Sequence, residues 1–302
     1  MADNTAFLAD VRRYASLLEH AMPSSVSFAP EVEDATTVQV ERGLVLPLCM
    51  SDPSAGGAEP LVGRSIELTA FGQPTRVAVV DRFGHDRPAY RPLLVYAWLQ
   101  AFRIAYETLP RADFGRWEEG LRAWCDDLET RLDASHLTAG GIPASRGASV
   151  AEAAWVALAL HVAGKVFIRD AWTDLAGDVF GRLVRGQQPS GALLALGPSD
   201  NPEPAWYHEL VILHAAASYA VQAEDRHVAA AVARATSYHQ NETQPDHATT
   251  QPWAVFAFVW NADTRPLADQ LLHAQTVQHP QGATGLPLML LADALYCLRL
   301  FL

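Results

Sequence analysis

Several features that define common classes of protein are scarce in this sequence. It has only three cysteines, Cys49, Cys125 and Cys297, which lie far apart and form no CxxC pair. We therefore expect neither a disulfide framework nor a cysteine-rich zinc site. The thiols are predicted to be isolated, in a reducing compartment that we take to be the cytoplasm, with Cys125 and Cys297 packed as small apolar side chains.

Positive charge is scarce as well. The chain has 22 Lys and Arg residues against 34 Asp and Glu, which gives a formal net charge of -12, and its basic residues form no cluster. A chain of this kind repels phosphate backbones and anionic lipid surfaces. We therefore expect no nucleic-acid partner and no membrane partner. Composition leaves the oligomeric state open.

The sequence also lacks the features of a secreted or membrane-spanning chain. Its first residues are acidic and contain no uninterrupted apolar core, unlike a signal peptide. The apolar stretch 286–302 is short for a membrane span and contains Asp293 and Arg299, so a buried helix is the better interpretation.

The chain instead contains a regular alternation of two kinds of helix. Half of its residues are hydrophobic, with many Ala and Leu and few Lys, a composition that favours helices around a sizeable core. Helices of the first kind are apolar on nearly all sides, and helices of the second kind carry one apolar stripe. The first kind occupies residues 93–106, 150–163, 207–221, 253–260 and 286–302, and the second 113–132, 168–185, 225–240 and 264–277.

This alternation predicts how the helices are layered. A helix that is apolar on all sides is buried, whereas a helix with a single stripe lies at the surface. The pattern therefore predicts an inner ring inside an outer ring, with about five helical hairpins once the amphipathic helix at 5–22 joins the last inner helix. We predict inner helices that begin near residues 90, 149, 205, 250 and 286.

The predicted architecture resembles the α/α-toroid superfamily, which includes terpenoid cyclases, prenyltransferases and many carbohydrate-active enzymes. The resemblance covers about residues 90–302 and implies a mainly α fold. Two segments, QPSG at 188–191 and QHPQG at 278–282, are similar to the Gln- and Gly-containing repeat of terpenoid cyclases, without the aspartate that precedes its glycine.

The first 89 residues follow a different pattern. Residues 37–48 and 65–80 are rich in Val, Thr and Ile and show partial alternation, with a glycine-containing break at 52–60. This pattern predicts three or four strands in a small β-element that does not contribute to the helical ring. We therefore divide the chain into an N-terminal part, 1–89, and a toroid domain, 90–302.

The connections predict where a site lies. Connections from inner to outer helices are short, whereas those from outer to inner helices are long, at 133–149, 186–205, 241–252 and 278–285. Long connections in compact domains are commonly functional. Here they meet at the N-terminal ends of the inner helices, whose free N–H groups suit an anionic or hydroxyl-rich ligand.

Polar residues of the kind used in catalysis are concentrated in these connections. We propose as catalytic candidates Tyr207, His208, Glu209, Asp246 and His247. We propose as substrate-binding candidates His85, Arg87, Arg146, Trp206, Gln251 and Trp253. Structural roles remain open for many of them. Glu209 and Asp246 are also typical of first helical turns and caps, and Trp253 is more typical of a core.

Three functions are compatible with this pattern. The first is a carbohydrate-active enzyme: a hydrolase with Glu209 and Asp246 as its two carboxylates, or a lyase or isomerase with a histidine base. A lyase would use His208 or His247 as base, Tyr207 as acid, and Arg146 or Arg87 to neutralise the substrate carboxylate. The alternatives are a non-catalytic helical scaffold that binds a peptide or subunit, and a toroid that handles a terpenoid or another small molecule.

No metal or cofactor is expected. The sequence has no HExxH spacing, GxGxxG fingerprint or GxSxG elbow. His214, Ser218 and Gln222 form a polar stripe at four-residue spacing within an apolar helix. We interpret this stripe as a satisfied internal hydrogen-bond chain, and His161 and His273 as structural. The partner that we expect is a saccharide or another small molecule.

Overall fold

The protein is mainly helical in a computed structural model. The model describes residues 4–21, 25–28, 38–39, 65–70, 73–78, 90–108, 114–132, 135, 137, 141–198, 200–242, 252–276 and 285–302. Ten α-helices lie in these ranges, and their bounds are α1 Asn4–Ala21, α2 Tyr90–Thr108, α3 Phe114–Arg131, α4 Gly147–Phe167, α5 Asp170–Gly186, α6 Pro202–Gln222, α7 Arg226–Glu242, α8 Val255–Trp260, α9 Arg265–Thr276 and α10 Gly285–Arg299.

The remaining regular elements are short. Two 3₁₀ turns, Ala144–Arg146 and Pro252–Ala254, directly precede α4 and α8. Four strands lie between α1 and α2 in the chain, namely β1 Ser25–Phe28, β2 Val38–Gln39, β3 Ser65–Ala70 and β4 Gln73–Ala78. They form one antiparallel sheet in the order β2-β1-β3-β4. Strand β1 lies before the range in which strands were predicted.

Five helices are buried on most sides, as their sequences predict. Helices α4 and α6 carry apolar residues on nearly all faces, and most side chains after their first turn are buried. All of α8 except Trp260 is buried, and so are most described side chains of α2 and α10. The large side chains of these helices fill the core, with Trp98, Trp155, Phe256 and Phe258 fully buried.

The other five helices bury a single face. In α5 the buried side chains follow helical spacing, from Trp172 through Ala176 and Val179 to Leu183, while the charged residues between them are exposed. Helices α1, α3, α7 and α9 show the same division. The prediction of alternating buried and surface helices is therefore confirmed, and α2, α4, α6 and α10 begin within three residues of their predicted starts.

The helices pack in the order in which they follow each other. Helices α2, α4, α6, α8 and α10 each contact the next member of this buried set, and each of the first four also contacts the surface helix that follows it. Helix α1 packs on α10. It also reaches α9, where Tyr14 donates a hydrogen bond to the carbonyl of Arg265, 3.2 Å away, and Arg13 forms an ion pair with Asp269.

Local signals fix the ends of α6. Asn201 caps its start by accepting a hydrogen bond from the Glu203 N–H, and Pro202 occupies the first helical position. At its other end the N–H of Glu224 bonds to the carbonyl of Val221, and that of Asp225 bonds to the carbonyl of Ala220. This is the Schellman arrangement, and Glu224 holds its left-handed position with φ 54°.

The long connection between α5 and α6 is ordered by polar contacts. Gln187 donates to the carbonyl oxygens of Gly191 and Ala231, and its own carbonyl accepts from Arg234. Gly191 has φ 99°, and a Cβ at this position would lie 2.6 Å from the Arg234 carbonyl oxygen. The connection therefore requires glycine at this close approach, because any side chain would collide with the α7 backbone.

Candidate functional site

The start of α6 carries four of the predicted site residues. Trp206, Tyr207 and His208 are half-buried, and Glu209 is buried. Trp206 donates a hydrogen bond from its indole to the Tyr238 hydroxyl, 3.2 Å away on α7. The aromatic ring of Tyr207 packs edge-on to His208, with ring centroids 5.7 Å apart. These side chains are therefore supported by neighbouring helices as well as by α6.

Glu209 holds the long connection against α6. Its side chain is 1% exposed, and its two carboxylate oxygens accept hydrogen bonds from the backbone N–H groups of Leu193 and Leu194, at 3.1 and 3.0 Å. Nε2 of His239 on α7 lies 3.1 Å from the same carboxylate. These contacts satisfy buried N–H groups in a connection that lacks regular secondary structure. They also occupy the carboxylate that sequence analysis proposed for catalysis.

His208 differs from Glu209 because one of its ring nitrogens has no partner among the described residues. Its Nδ1 is buried and forms no hydrogen bond with the described residues. The ring lies against the start of α4, where a Cβ added at Gly147 would be 2.8 Å from Nδ1. Burial lowers the pKa of His208, which favours the neutral imidazole at neutral pH. A neutral imidazole with a free nitrogen can act as a base or accept a hydrogen bond.

Arg146 lies at the start of α4, beside a small polar cavity of about 130 Å³. Arg131, Ser149 and Glu152 also line this cavity, and burial raises the pKa of Glu152. Arg146 directly precedes α4 and does not cap the helix with its side chain. A cavity of this size holds water or a small group rather than a whole sugar ring.

Trp253 belongs to the core. Its side chain is 2% exposed and packs edge-on against Trp155, with ring centroids 5.7 Å apart. No face of the ring is free to stack on a sugar, which favours the core interpretation. The other five predicted site residues lie outside the residues that the structure describes, namely His85, Arg87, Asp246, His247 and Gln251. The catalytic roles of Asp246 and His247 therefore stay predictions.

A buried polar network lies at the centre of the helical core. The Asp293 carboxylate on α10, only 6% exposed, accepts hydrogen bonds from the Tyr96 hydroxyl on α2 and from Ser218 on α6, the latter at 2.5 Å. Nε2 of His214 lies 2.8 Å away, and the Cys297 thiol donates weakly at 3.7 Å. A buried carboxylate with this many donors is compensated for its desolvation.

Two glutamines extend the network toward the surface. Gln100 and Gln222 each donate to the Tyr96 hydroxyl at 2.8 Å, and Gln100 also donates to the Gln222 side-chain carbonyl. Burial, followed by the charge of Asp293, raises the pKa of Tyr96 well above its ordinary value, so the phenol remains a donor. The interpretation of His214, Ser218 and Gln222 as parts of an internal hydrogen-bond network is confirmed, but the network is not fully satisfied, because the buried Nδ1 of His214 has no partner among the described residues.

Sequence analysis missed the partners of this chain. Asp293 was noted only as an argument against a membrane span, and Tyr96 and Gln100 were not singled out. A signal for them exists in the sequence, because Tyr96 and Gln100 lie four positions apart in the mostly apolar stretch 93–102, and Asp293 is the one acidic residue of residues 286–302. Polar residues that share one face of a buried helix require partners on another helix.

A cavity of about 650 Å³ lies where α6, α8 and α10 end and α7 begins. It is much larger than the cavity beside Arg146, and its volume lies within the usual range for small-molecule sites. Apolar side chains, among them Val221, Val232, Trp260 and Phe301, form much of its lining. It lies at the opposite ends of the buried helices from His208.

Charged groups complete the lining of this cavity. Arg103 of α2 reaches it, together with Glu224, Asp225 and Arg226 from the turn between α6 and α7. Gln222 lines it as well, so the cavity and the polar network share one residue. Lys165, the one lysine of the sequence, donates to the Gln222 backbone carbonyl at 2.5 Å.

Near Gln222, the protonated forms of His161 and Lys165 are disfavoured. Burial lowers the pKa of His161 to about 4, and the charge of Lys165 contributes to the same effect. Burial and the charge of Arg103 lower the pKa of Lys165. Both ring nitrogens of His161 are buried without a hydrogen-bond partner among the described residues. Burial and neighbouring positive charge therefore act in the same direction on His161 and Lys165.

Comparisons with known proteins identify no relative. No family model, no curated protein and no solved structure matches the chain. Within the described residues, no group of three or more His, Cys, Asp or Glu side chains could hold a metal ion. One segment of the described chain, 144–167, is long and apolar enough to cross a membrane by composition, but 83% of its most apolar window is buried by other helices.

Proposed function

We propose that the ten helices form an α/α toroid that binds a small organic ligand in the 650 Å³ cavity. The toroid arrangement is supported by the pairing of each buried helix with a surface helix. It is also supported by the hydrogen bond between Tyr96 and Asp293, which joins the first buried helix to the last. We propose that the small sheet lies outside this ring, because the buried and surface helices already form both layers of the ring.

The cavity itself is the observation that carries the proposed function. Its wall combines aromatic and aliphatic side chains with a few charged groups, a combination typical of sites that orient small molecules. The rest of the described interior is filled by buried aromatic rings and by the Asp293 network, which leaves little space for a ligand at the centre. The proposal corresponds to a small-molecule-handling toroid, and it includes no reaction.

A carbohydrate-active site at the starts of α4 and α6 stays a prediction. Its support is the unpartnered Nδ1 of His208 and the position of Arg146 at the start of α4. Two of its catalytic candidates, Asp246 and His247, lie outside the described residues. The contacts of Glu209 with Leu193 and Leu194 weigh toward a structural role for that carboxylate.

The proposed function is tested by filling the cavity. Ala229 of α7 is exposed and lines the cavity, whereas its neighbour Ala230 is equally exposed and does not. Ala229→Trp would place an indole in the cavity without disturbing the core, and Ala230→Trp is the matched control. Fragments with anionic, neutral and cationic groups are screened for binding by ligand-observed NMR.

The expected result is a set of fragments that bind the natural protein and Ala230→Trp but not Ala229→Trp. Both variants should keep the melting temperature of the natural protein to within a few degrees, because neither position is buried. Fragments that bind Ala229→Trp as well as the natural protein would place the binding site elsewhere. The absence of any bound fragment would reject the proposed function.

A further inference from the structure

We infer that the ligand of this cavity is an amphipathic anion, whose carboxylate or similar group binds Arg103 and whose apolar body packs on the aromatic lining. This inference rests on the proposed function and specifies the chemical class of its ligand. Three observations carry it. Arg103 forms no ion pair with the described residues, the neighbouring carboxylates interact with other groups, and the cavity wall contains exposed apolar side chains.

Arg103 has no counter-ion among the residues that the structure describes. It is half-buried on α2, and its guanidinium lies over the Tyr296 ring, 5.3 Å from the centroid. In the described part of the chain it forms no ion pair. An arginine that rests on an aromatic face keeps its N–H fork available for a planar anion such as a carboxylate. The side chain therefore presents unused donors at the cavity.

The carboxylates of the lining have other roles. Oδ1 of Asp225 accepts hydrogen bonds from the backbone N–H groups of His227 and Val228, at 2.9 and 3.1 Å, and so caps α7. Glu224 is exposed, and its negative charge partly offsets the lowering of the Lys165 pKa. Neither carboxylate forms an ion pair with Arg103 within the described residues. The positive charge of Arg103 is thus left for a ligand.

The electrostatic surroundings agree with this assignment. The chain as a whole carries a formal net charge of -12, yet Arg103 and Arg226 line one cavity, and Lys165 donates to the backbone carbonyl of Gln222 in its wall. Arg103 also contributes to the lowered pKa values of His161 and Lys165, which shows that its field extends into this part of the core. A positive site on an acidic protein attracts anions locally while the whole molecule repels polyanions.

The apolar part of the lining supplies the second half of the site. Trp260 packs edge-on against Phe301, with ring centroids 5.0 Å apart, and Phe7 of α1 stacks on Trp260 at 6.1 Å. Leu300 and Phe301 remain partly exposed although they are large and apolar. A ligand with a hydrocarbon body would cover these side chains, and such burial is favourable in proportion to the apolar area removed from water.

The test compares three probes that share a ten-carbon chain and differ in charge: decanoate, decan-1-ol and decyltrimethylammonium. Binding is measured by isothermal titration calorimetry to the natural protein and to Arg103→Gln, Arg103→Lys and Arg182→Gln. Arg182 is a surface arginine of α5 paired with Asp178, so its replacement removes the same charge away from the cavity. Amine-directed labelling of Lys165, followed by mass spectrometry, reports whether each probe changes the wall of the cavity at Gln222, whose carbonyl accepts a hydrogen bond from Lys165.

We expect decanoate to bind the natural protein about tenfold more tightly than either of the other probes, because a charge-assisted pair with arginine contributes to its affinity. Arg103→Gln should abolish this preference, Arg103→Lys should keep part of it, and Arg182→Gln should leave it unchanged. Decanoate should also protect Lys165 from labelling. The preference should weaken as salt is raised.

Three results would overturn the inference, and they can be told apart. If decan-1-ol binds as tightly as decanoate and is excluded by Ala229→Trp, the cavity is a ligand site but its ligand is not an anion. If none of the probes binds, or if Ala229→Trp leaves all binding unchanged, the proposed function fails together with the inference. Retention of the preference for decanoate in Arg103→Gln would place the anion on another cation.

Discussion

Oδ2 of Asp293 on α10 lies 2.8 Å from Nε2 of His214 on α6, and both side chains are buried. The His214 ring in turn stacks on Trp155 of α4, with centroids 5.6 Å apart and planes 25° from parallel. The two contacts of His214 therefore connect three buried helices, and the bond from Tyr96 adds α2. Because hydrogen bonds require definite geometry, this network fixes the positions of helices whose apolar surfaces alone would pack in several ways.

Asp293→Ala should destabilise the protein strongly. The change would leave the Tyr96 hydroxyl, Ser218 and His214 without their common acceptor in a buried environment. We expect the free energy of unfolding to fall by about 3 to 5 kcal/mol, the usual cost of removing one partner from a buried polar group of this kind. Urea denaturation followed by circular dichroism measures this loss.

The matched control is Asp178→Ala on α5, where a half-exposed carboxylate pairs with Arg182. Surface ion pairs contribute little, so this variant should lose less than about 1 kcal/mol. Equal losses in the two variants would contradict the central role that we assign to the Asp293 network.

Replacing Glu209 distinguishes its structural role from its predicted catalytic role. Glu209→Gln keeps the size of the side chain but leaves one of the N–H groups of Leu193 and Leu194 without an oxygen acceptor. We expect a loss of about 2 kcal/mol in the free energy of unfolding. Glu203→Gln in the exposed first turn of the same helix should change it by less than about 0.5 kcal/mol. Unchanged stability combined with loss of ligand binding would favour the catalytic interpretation.

Ile168→Gly should stabilise the protein. Ile168 ends α4 in the left-handed conformation with φ 55°, although it is β-branched, and its side chain is 89% exposed. This conformation costs a non-glycine residue about 1 to 2 kcal/mol, while glycine loses part of that gain through its greater freedom in the unfolded chain. We expect a net gain of about 1 kcal/mol by urea denaturation.

Ile168→Ala serves as the control, because alanine keeps the Cβ that makes the conformation costly. It should remain close to the natural protein in stability. A loss of stability in Ile168→Gly would show that the exposed side chain makes a contact beyond those of the described residues.

The stability of the protein should depend on pH through His161. Its pKa is lowered from 6.5 to about 4 in the folded state, first by burial and then by Lys165. Between these values the unfolded chain binds a proton that the folded protein does not bind. The free energy of unfolding should therefore fall as the pH drops from about 6.5 to about 4, by on the order of 3 kcal/mol from this group, and this contribution should level off below that range.

His161→Gln removes this titration, so its stability should depend less steeply on pH over the same window. His227→Gln changes an exposed histidine and should keep the slope of the natural protein. Denaturation series at several pH values provide the comparison, and the difference in slope is the quantity of interest. Identical slopes in the natural protein and His161→Gln would show that folding does not change the pKa of His161.

The sequence by itself determined the helices and their layering. Apolar residues that repeat at helical spacing form an apolar face. A helix with one such face lies at the surface, whereas a helix that is apolar on all faces is buried. This relation identified α4 and α6 as buried and α5 as a surface helix, and it placed the inner starts near residues 90, 149, 205 and 286, close to the observed ones. Spacing also marked His214, Ser218 and Gln222 as one polar stripe.

Only the tertiary structure decided what these polar residues contact and where a ligand can bind. Asp293 is 75 residues from Ser218 and 197 from Tyr96 in the chain, and no periodicity within one helix indicates which other helix will face it. The cavity is formed by the ends of α6, α8 and α10 together with Arg103 of α2, so it depends on the packing of helices distant in sequence. Local spacing determines which face of a helix is apolar, whereas the enclosed volume depends on how several such faces meet.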